Sequence, residues 1–116
     1  MDEITFDQFS AIDVRIGTVV KAEVPEWSHW VIRLEVDLGP EIGTKKAFSG
    51  IMKFFKPEDL LNKQFPFVVN LKPKTIGPEH ELSEAMMIMA VPAEDEETPT
   101  VLFKLQKKVP NGTKVR

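Results

Sequence analysis

The chain has no cysteine. That excludes disulfides, thiolate zinc sites and cysteine nucleophiles together, and it fits a reducing compartment. Its two histidines, His29 and His80, stand far apart, and neither has a second ligand at metal-binding spacing. No apolar run approaches the ~20 residues needed to cross a bilayer. The opening Met-Asp-Glu carries neither a basic nor an apolar segment, so no secretory leader is expected. There is no glycine-rich phosphate loop, and Ser49-Gly50 lacks the Gly-x-Ser-x-Gly frame of a nucleophile elbow. The acidic run Glu94–Glu97 leads into Thr98-Pro99 and reads as a solvated loop tip. These absences lead us to expect no enzyme, no cofactor, no metal and no membrane insertion, in a soluble cytoplasmic protein.

What is present is the material of one domain. A chain of 116 residues with 42% apolar and 28% charged side chains can bury a core without staples. The net charge of -3 conceals alternating blocks. Residues 1–41 sum to -6, 42–78 to +5, 79–97 to -7 and 98–116 to +5. Such segregation is either incidental to a solvated surface or the mark of a basic face kept apart from an acidic one.

Short strands dominate the pattern. Residues 13–24 alternate, placing Val14, Ile16, Val20, Ala22 and Val24 inward and Arg15, Lys21 and Glu23 outward, with a bulge or bend at Gly17. Residues 30–38 put Trp30, Ile32, Leu34, Val36 and Leu38 on one face, and Gly39-Pro40 ends the run. Further strands are expected at 45–51, 65–71 and 85–91, with an additional one at 100–106. Two short helices flank them. Thr5 with Gln8 makes a capping box, and Pro57-Glu58-Asp59-Leu60-Leu61 has proline and two acids at a helix start. Five strands with a helix between the third and fourth predict an all-β, five-stranded OB-fold, a Greek-key barrel, as a single domain over 1–116. Its extensions carry Phe6, Phe9, Val101, Leu102, Phe103 and Leu105, more than a small barrel can cover. A homodimer is the expected solution.

The binding inventory lies in the +5 central block. Lys45, Lys46, Lys53, Lys56, Lys72 and Lys74 interleave with Phe48, Phe54 and Phe55, as in barrels that hold oligonucleotides between cations and aromatic platforms. Phe48 suits the core, whereas the adjacent Phe54 and Phe55 point opposite ways. Lys72-Pro73-Lys74 is a stiff basic step, because Pro73 fixes the chain direction.

Several segments together resemble the tRNA-binding domain family, also found appended to methionyl-tRNA synthetases. They are Phe6-x-x-Phe9 with Ile12-Asp13-Val14-Arg15-Ile16-Gly17, Val36-Asp37-Leu38-Gly39, Ser49-Gly50-Ile51, Lys56-Pro57-Glu58-Asp59-Leu60, Val69-Asn70-Leu71-Lys72-Pro73 and Ser83-Glu84-x-Met86. Glu41-Ile42-Gly43, Asn62-Lys63-Gln64 and Val109-Pro110-Asn111-Gly112-Thr113-Lys114 are similar to its CsaA-like stand-alone subgroup. The resemblance implies a homodimer joined through both extensions, with tRNA or other structured RNA, or unfolded and exported polypeptides, as partners in a secretion-related chaperone role. It places Ser49, Asn70, Lys72 and Ser83 in the RNA site, to which the basic block adds Lys53 and Lys74. For Asn70 and Ser83, turn capping is the other reading. The chain departs from the family at Ala85, where glycine is usual, at the acidic Glu79-His80-Glu81, and at Trp27-Ser28-His29-Trp30. Trp30 is expected in the core. Trp27 is expected to be exposed and, with Phe55, to form a possible peptide pocket.

Overall fold

Alternation decides the centre of the fold. The computed structural model describes residues 1–116. In chain order the elements are α1 (Phe6–Ser10), β1 (Val14–Glu23), β2 (Ile32–Asp37), α2 (Gly39–Ile42), β3 (Thr44–Ser49), α3 (Pro57–Leu60), β4 (Gln64–Val68), β5 (Lys74–Ile76), β6 (Glu81–Ser83), β7 (Met86–Met87), β8 (Met89–Ala90), β9 (Val101–Leu102) and β10 (Lys114–Val115). The strict period of two along β2 buries Ile32, Leu34 and Val36 completely, together with Leu38 just beyond it. Val19, Leu60 and Phe67 meet them in the same core.

The main sheet runs β3-β2-β1-β4-β7, with antiparallel neighbours throughout. A parallel bridge between Ala47 and Ala85 brings the start of β7 back to β3. The N–H groups of Glu84 and Ala85 both donate to the Lys46 carbonyl there, at 2.9 and 3.3 Å. The sheet is therefore nearly closed and barrel-like. The pairing is possible because β1 serves two partners, β4 along Val14–Thr18 and β2 along Thr18–Glu23.

The switch between those partners overturns one expectation. The register of β1 against β2 slips between Val19 and Lys21, a bulge that changes which face the strand presents. Val19 is buried, whereas Val20, expected inward, is exposed. The bulge does not fall at Gly17. That glycine instead permits close approach, since a Cβ there would lie 2.5 Å from Val36 Cγ1 and 2.6 Å from Leu38 Cδ2. Arg15, expected outward, is buried. Its Nε donates to Asp13 at 2.7 Å, and its NH1 group donates to Glu41 at 3.3 Å and to the Gly112 carbonyl at 3.1 Å. The guanidinium is compensated on every side, which is what lets it leave water.

The ends are tied differently. Thr5 and Gln8 form the expected capping box, at 3.1 and 2.8 Å, and no residue of α1 is buried. The tail wraps back onto β1. Asn111 Oδ1 accepts from Thr18 and Gln64, the Gly112 N–H donates to Ile16 O, and β10 pairs with Val14 and Arg15. The strand expected over 85–91 is split into β7 and β8, and the one expected over 100–106 is confined to β9. No helix is long and apolar enough to cross a membrane.

Candidate nucleic-acid interface

Beyond β4 the chain leaves the barrel through Asn70, Leu71, Lys72 and Pro73, all exposed, and enters a hairpin of β5 and β6. Lys72 and Lys74 are exposed and have no carboxylate within ion-pairing distance. Ser83 lies directly opposite Lys74 across the hairpin. Lys74 and Ser83 thus face each other in this hairpin, and Lys72 lies two residues before it in the chain. An unpaired ammonium in water is free to exchange its counterions for phosphate.

Asn70 stands beside this group with its side chain already engaged. Its amide donates to the Ala11 carbonyl at 2.6 Å, and its Oδ1 accepts from the Asp13 N–H at 2.9 Å. These bonds fasten the end of α1 to the exit of β4. The other two expected residues lie elsewhere. Ser49 is buried at the end of β3. Because Ala47 bridges Ala85 in parallel, Ser49 and Ser83 diverge along the sheet by roughly 13 Å at ~3.3 Å per residue. Lys53 is exposed, donates to the main-chain carbonyl of Glu96, and lies 5.9 Å from the Phe54 ring centroid.

The lysines of β3 are not free cations. Lys45 pairs with Glu84 at 3.8 Å and Lys46 with Glu81 at 3.4 Å. Glu81 also accepts from Arg33 and from Trp27 Nε1, and its side chain is only 11% exposed. The Arg33 hydrogen bond, with smaller contributions from Trp27 and Lys46, holds the Glu81 carboxyl below its usual range against the opposing effect of burial. Arg33 is raised in turn, chiefly by Glu81. The stretch that reads as an acidic loop therefore spends Glu81 and Glu84 on its own chain.

The two tryptophans exchange their expected places. Trp30 is 59% exposed, and Trp27 is the half-buried one. The Ser28 hydroxyl accepts from the N–H groups of both Trp30 and Val31 at 3.1 Å, a tight turn that delays the strand until Ile32. The alternation that would bury Trp30 has not yet begun, and Val31 goes inward instead. Trp27 packs beside Phe48, with ring centroids 6.2 Å apart, and against Gly77.

A cavity of about 920 Å³ opens on another part of the surface. Phe54, Phe55, Phe65 and Leu102 line it, and Lys104, Lys107 and Lys108 contribute to its wall. Phe55 belongs to this cavity; Trp27 does not line it.

Residues 14–114 match the family described as "Putative tRNA binding domain". The chain belongs to this tRNA-binding family. It is 40% identical to methionine–tRNA ligase of Methanothrix thermoacetophila over 97% of its own length and 16% of that protein. The chain spans about one sixth of the curated relatives it matches. Among solved structures, chaperone CsaA from Bacillus anthracis is 37% identical, with a TM-score of 0.85 over 99% of this chain and 100% of that one. The MetRS-related protein from Pyrococcus horikoshii is 34% identical, with a TM-score of 0.86 over 100% of both chains. Sequence reasoning named Lys46, Trp27 and Glu81 separately but gave Arg33 no role, and it missed that Trp27, Arg33 and Lys46 converge on the Glu81 carboxylate. Alternating charge on β2 and β3 was the available signal, and it does not reveal that a distant hairpin returns to it.

Proposed function

We propose that residues 1–116 form a single OB-fold domain that binds structured RNA, tRNA first, and performs no catalysis. The order β1-β2-β3-β7-β4, returning to β1, with α3 between β3 and β4, supports the OB reading of the barrel. The observation that carries the RNA reading is the pair of exposed, unpaired lysines Lys72 and Lys74 beside Ser83, in a chain of a family described by tRNA binding. Phosphate contacts from such lysines position an RNA without reading its sequence. Titration of tRNA at about 50 and 200 mM salt tests this. Binding that weakens with salt is expected; absence of binding at the lower salt sinks the reading.

We further propose a homodimer. Phe6, Phe9, Ile12 and Val115 are all exposed on one chain and line a common recess that Asp13, Asn70, Lys114 and Arg116 edge with polar groups. Sedimentation should give twice the chain mass, and Phe6→Asp should halve it.

A second reading, peptide binding, is favoured by the cavity around Phe55. Its aromatic floor and lysine wall suit an acidic amphipathic segment, and a similar solved structure is named a chaperone. Phe55→Ala should then weaken suppression of a client's aggregation; unchanged suppression argues against this pocket.

A further inference from the structure

The β5–β6 hairpin is mechanically separate from the barrel. Its two strands form a sheet of their own. No backbone hydrogen bond joins residues 71–83 to the rest of the chain; the first such bonds occur at Glu84 and Ala85. Side chains hold it instead. Glu81 reaches onto the face of β2 and β3, and Gly77 rests on Trp27.

The groups that receive Glu81 come from separate elements. Trp27 Nε1 at 3.3 Å comes from the β1–β2 connection, the Arg33 fork from β2 and Lys46 Nζ at 3.4 Å from β3. Phe48 lies beneath the guanidinium, its ring centroid 6.0 Å from the guanidinium carbon. Arg33 Nε is buried and has no partner, so the fork offers a donor that neither Glu81 nor Glu23 takes. Buried donors are rarely left so.

Charge is balanced there while the hairpin is closed. Lys21, Arg33, Lys45 and Lys46 face Glu23, Glu35, Glu81 and Glu84. Withdrawing Glu81 leaves one net positive charge, a cationic fork and an indole N–H converging on one point. A non-bridging phosphate oxygen pair matches that donor set as well as a carboxylate does.

We infer that Trp27 Nε1, Arg33 and Lys46 form a phosphate-binding site for RNA, which Glu81 fills while the hairpin is closed. An incoming phosphate takes the place of one monoanion by another, and Glu81 regains its hydration as it leaves. The exchange frees the hairpin that carries Lys74 and Ser83. The inference rests on the RNA-binding reading above.

Affinity for tRNA is compared among the wild type, Glu81→Ala, Glu81→Gln and the control Glu79→Ala, which removes a charge from the exposed hairpin turn. Both Glu81 variants are expected to bind at least about 5-fold more tightly than Glu79→Ala, with a salt dependence steeper by about one phosphate contact. Adding Arg33→Gln to Glu81→Ala should erase that gain. Glu81 variants that bind no more tightly than Glu79→Ala overturn the site while leaving the RNA reading intact. No binding by any of the chains overturns both. If Glu81→Ala does not fold, Glu81→Gln, which keeps the side-chain shape, decides.

Discussion

Trp27 packs against the backbone of Gly77 so closely that a Cβ on residue 77 would lie 2.6 Å from its indole ring. Gly77 also holds φ at +78°, a left-handed conformation. Closeness and backbone sign make the same demand, so this contact and Glu81 together set where the hairpin rests.

Gly77→Ala should therefore unseat the hairpin. The left-handed backbone alone costs an alanine about 1–2 kcal/mol, before the clash. Because the hairpin shares no backbone hydrogen bond with the barrel, the loss should be local. Amide exchange should quicken over residues 74–83 while β2 and β4 stay protected. A loss of protection across the whole barrel would show that the hairpin is part of the core.

Gly17→Ala should do the opposite. Its added methyl meets Val36 and Leu38 in the fully buried core. Overpacking there should cost about 1–3 kcal/mol of global stability, read by denaturant melting. A variant as stable as the wild type would mean that β1 and β2 can separate freely.

Asn70 and Lys72 should part company under mutation. Asn70→Ala removes two hydrogen bonds to the α1–β1 junction and should cost about 1–2 kcal/mol, leaving the salt dependence of tRNA binding unchanged. Lys72→Ala and Lys74→Ala should leave stability within about 0.5 kcal/mol and each lower the salt slope by just under one. A reversed pattern would move the RNA contact onto Asn70.

The Glu81 latch has a signed pH dependence. Its carboxyl is held below the ordinary value, first by Arg33. A depressed carboxylate stabilises fully above the unfolded pKa, ~4.3 for glutamate, and loses that contribution as pH falls through the lower folded value. Trp27 emission should thus be constant at neutral pH and change only below about pH 4. Glu81→Gln should abolish that transition. The same acid transition in both proteins would separate it from Glu81.

Local pattern revealed those parts of the fold that local physics decides. The period of two along β2, the Thr5 capping box and the proline-led α3 all formed where expected, because each depends on residues within one turn or one strand. Features set by distant partners were not legible. The bulge at Val20 exists because β1 changes partner from β4 to β2. Arg15 is buried because Glu41 and Gly112 come to meet it. Trp30 is a local exception: Ser28, two residues before it, caps a turn that postpones the strand and leaves it exposed, which the alternation over 30–38 concealed. The candidate interface divides likewise. The resemblance named Lys72 and Ser83 and the basic block added Lys74, but the hairpin that sets Ser83 opposite Lys74 was not expected. That Ser49 lies apart depends on closure of the sheet through Ala47 and Ala85, and that Asn70 serves the N-terminal junction depends on the pairing of β1 with β4.

The most direct measurement is a hydrogen-exchange footprint of the chain with and without tRNA. The proposed interface predicts protection at residues 70–74 and altered exchange in 77–84, with the Phe54–Phe55 cavity unchanged. Protection confined to that cavity and to Lys104–Lys108, with nothing at 70–84, would contradict it.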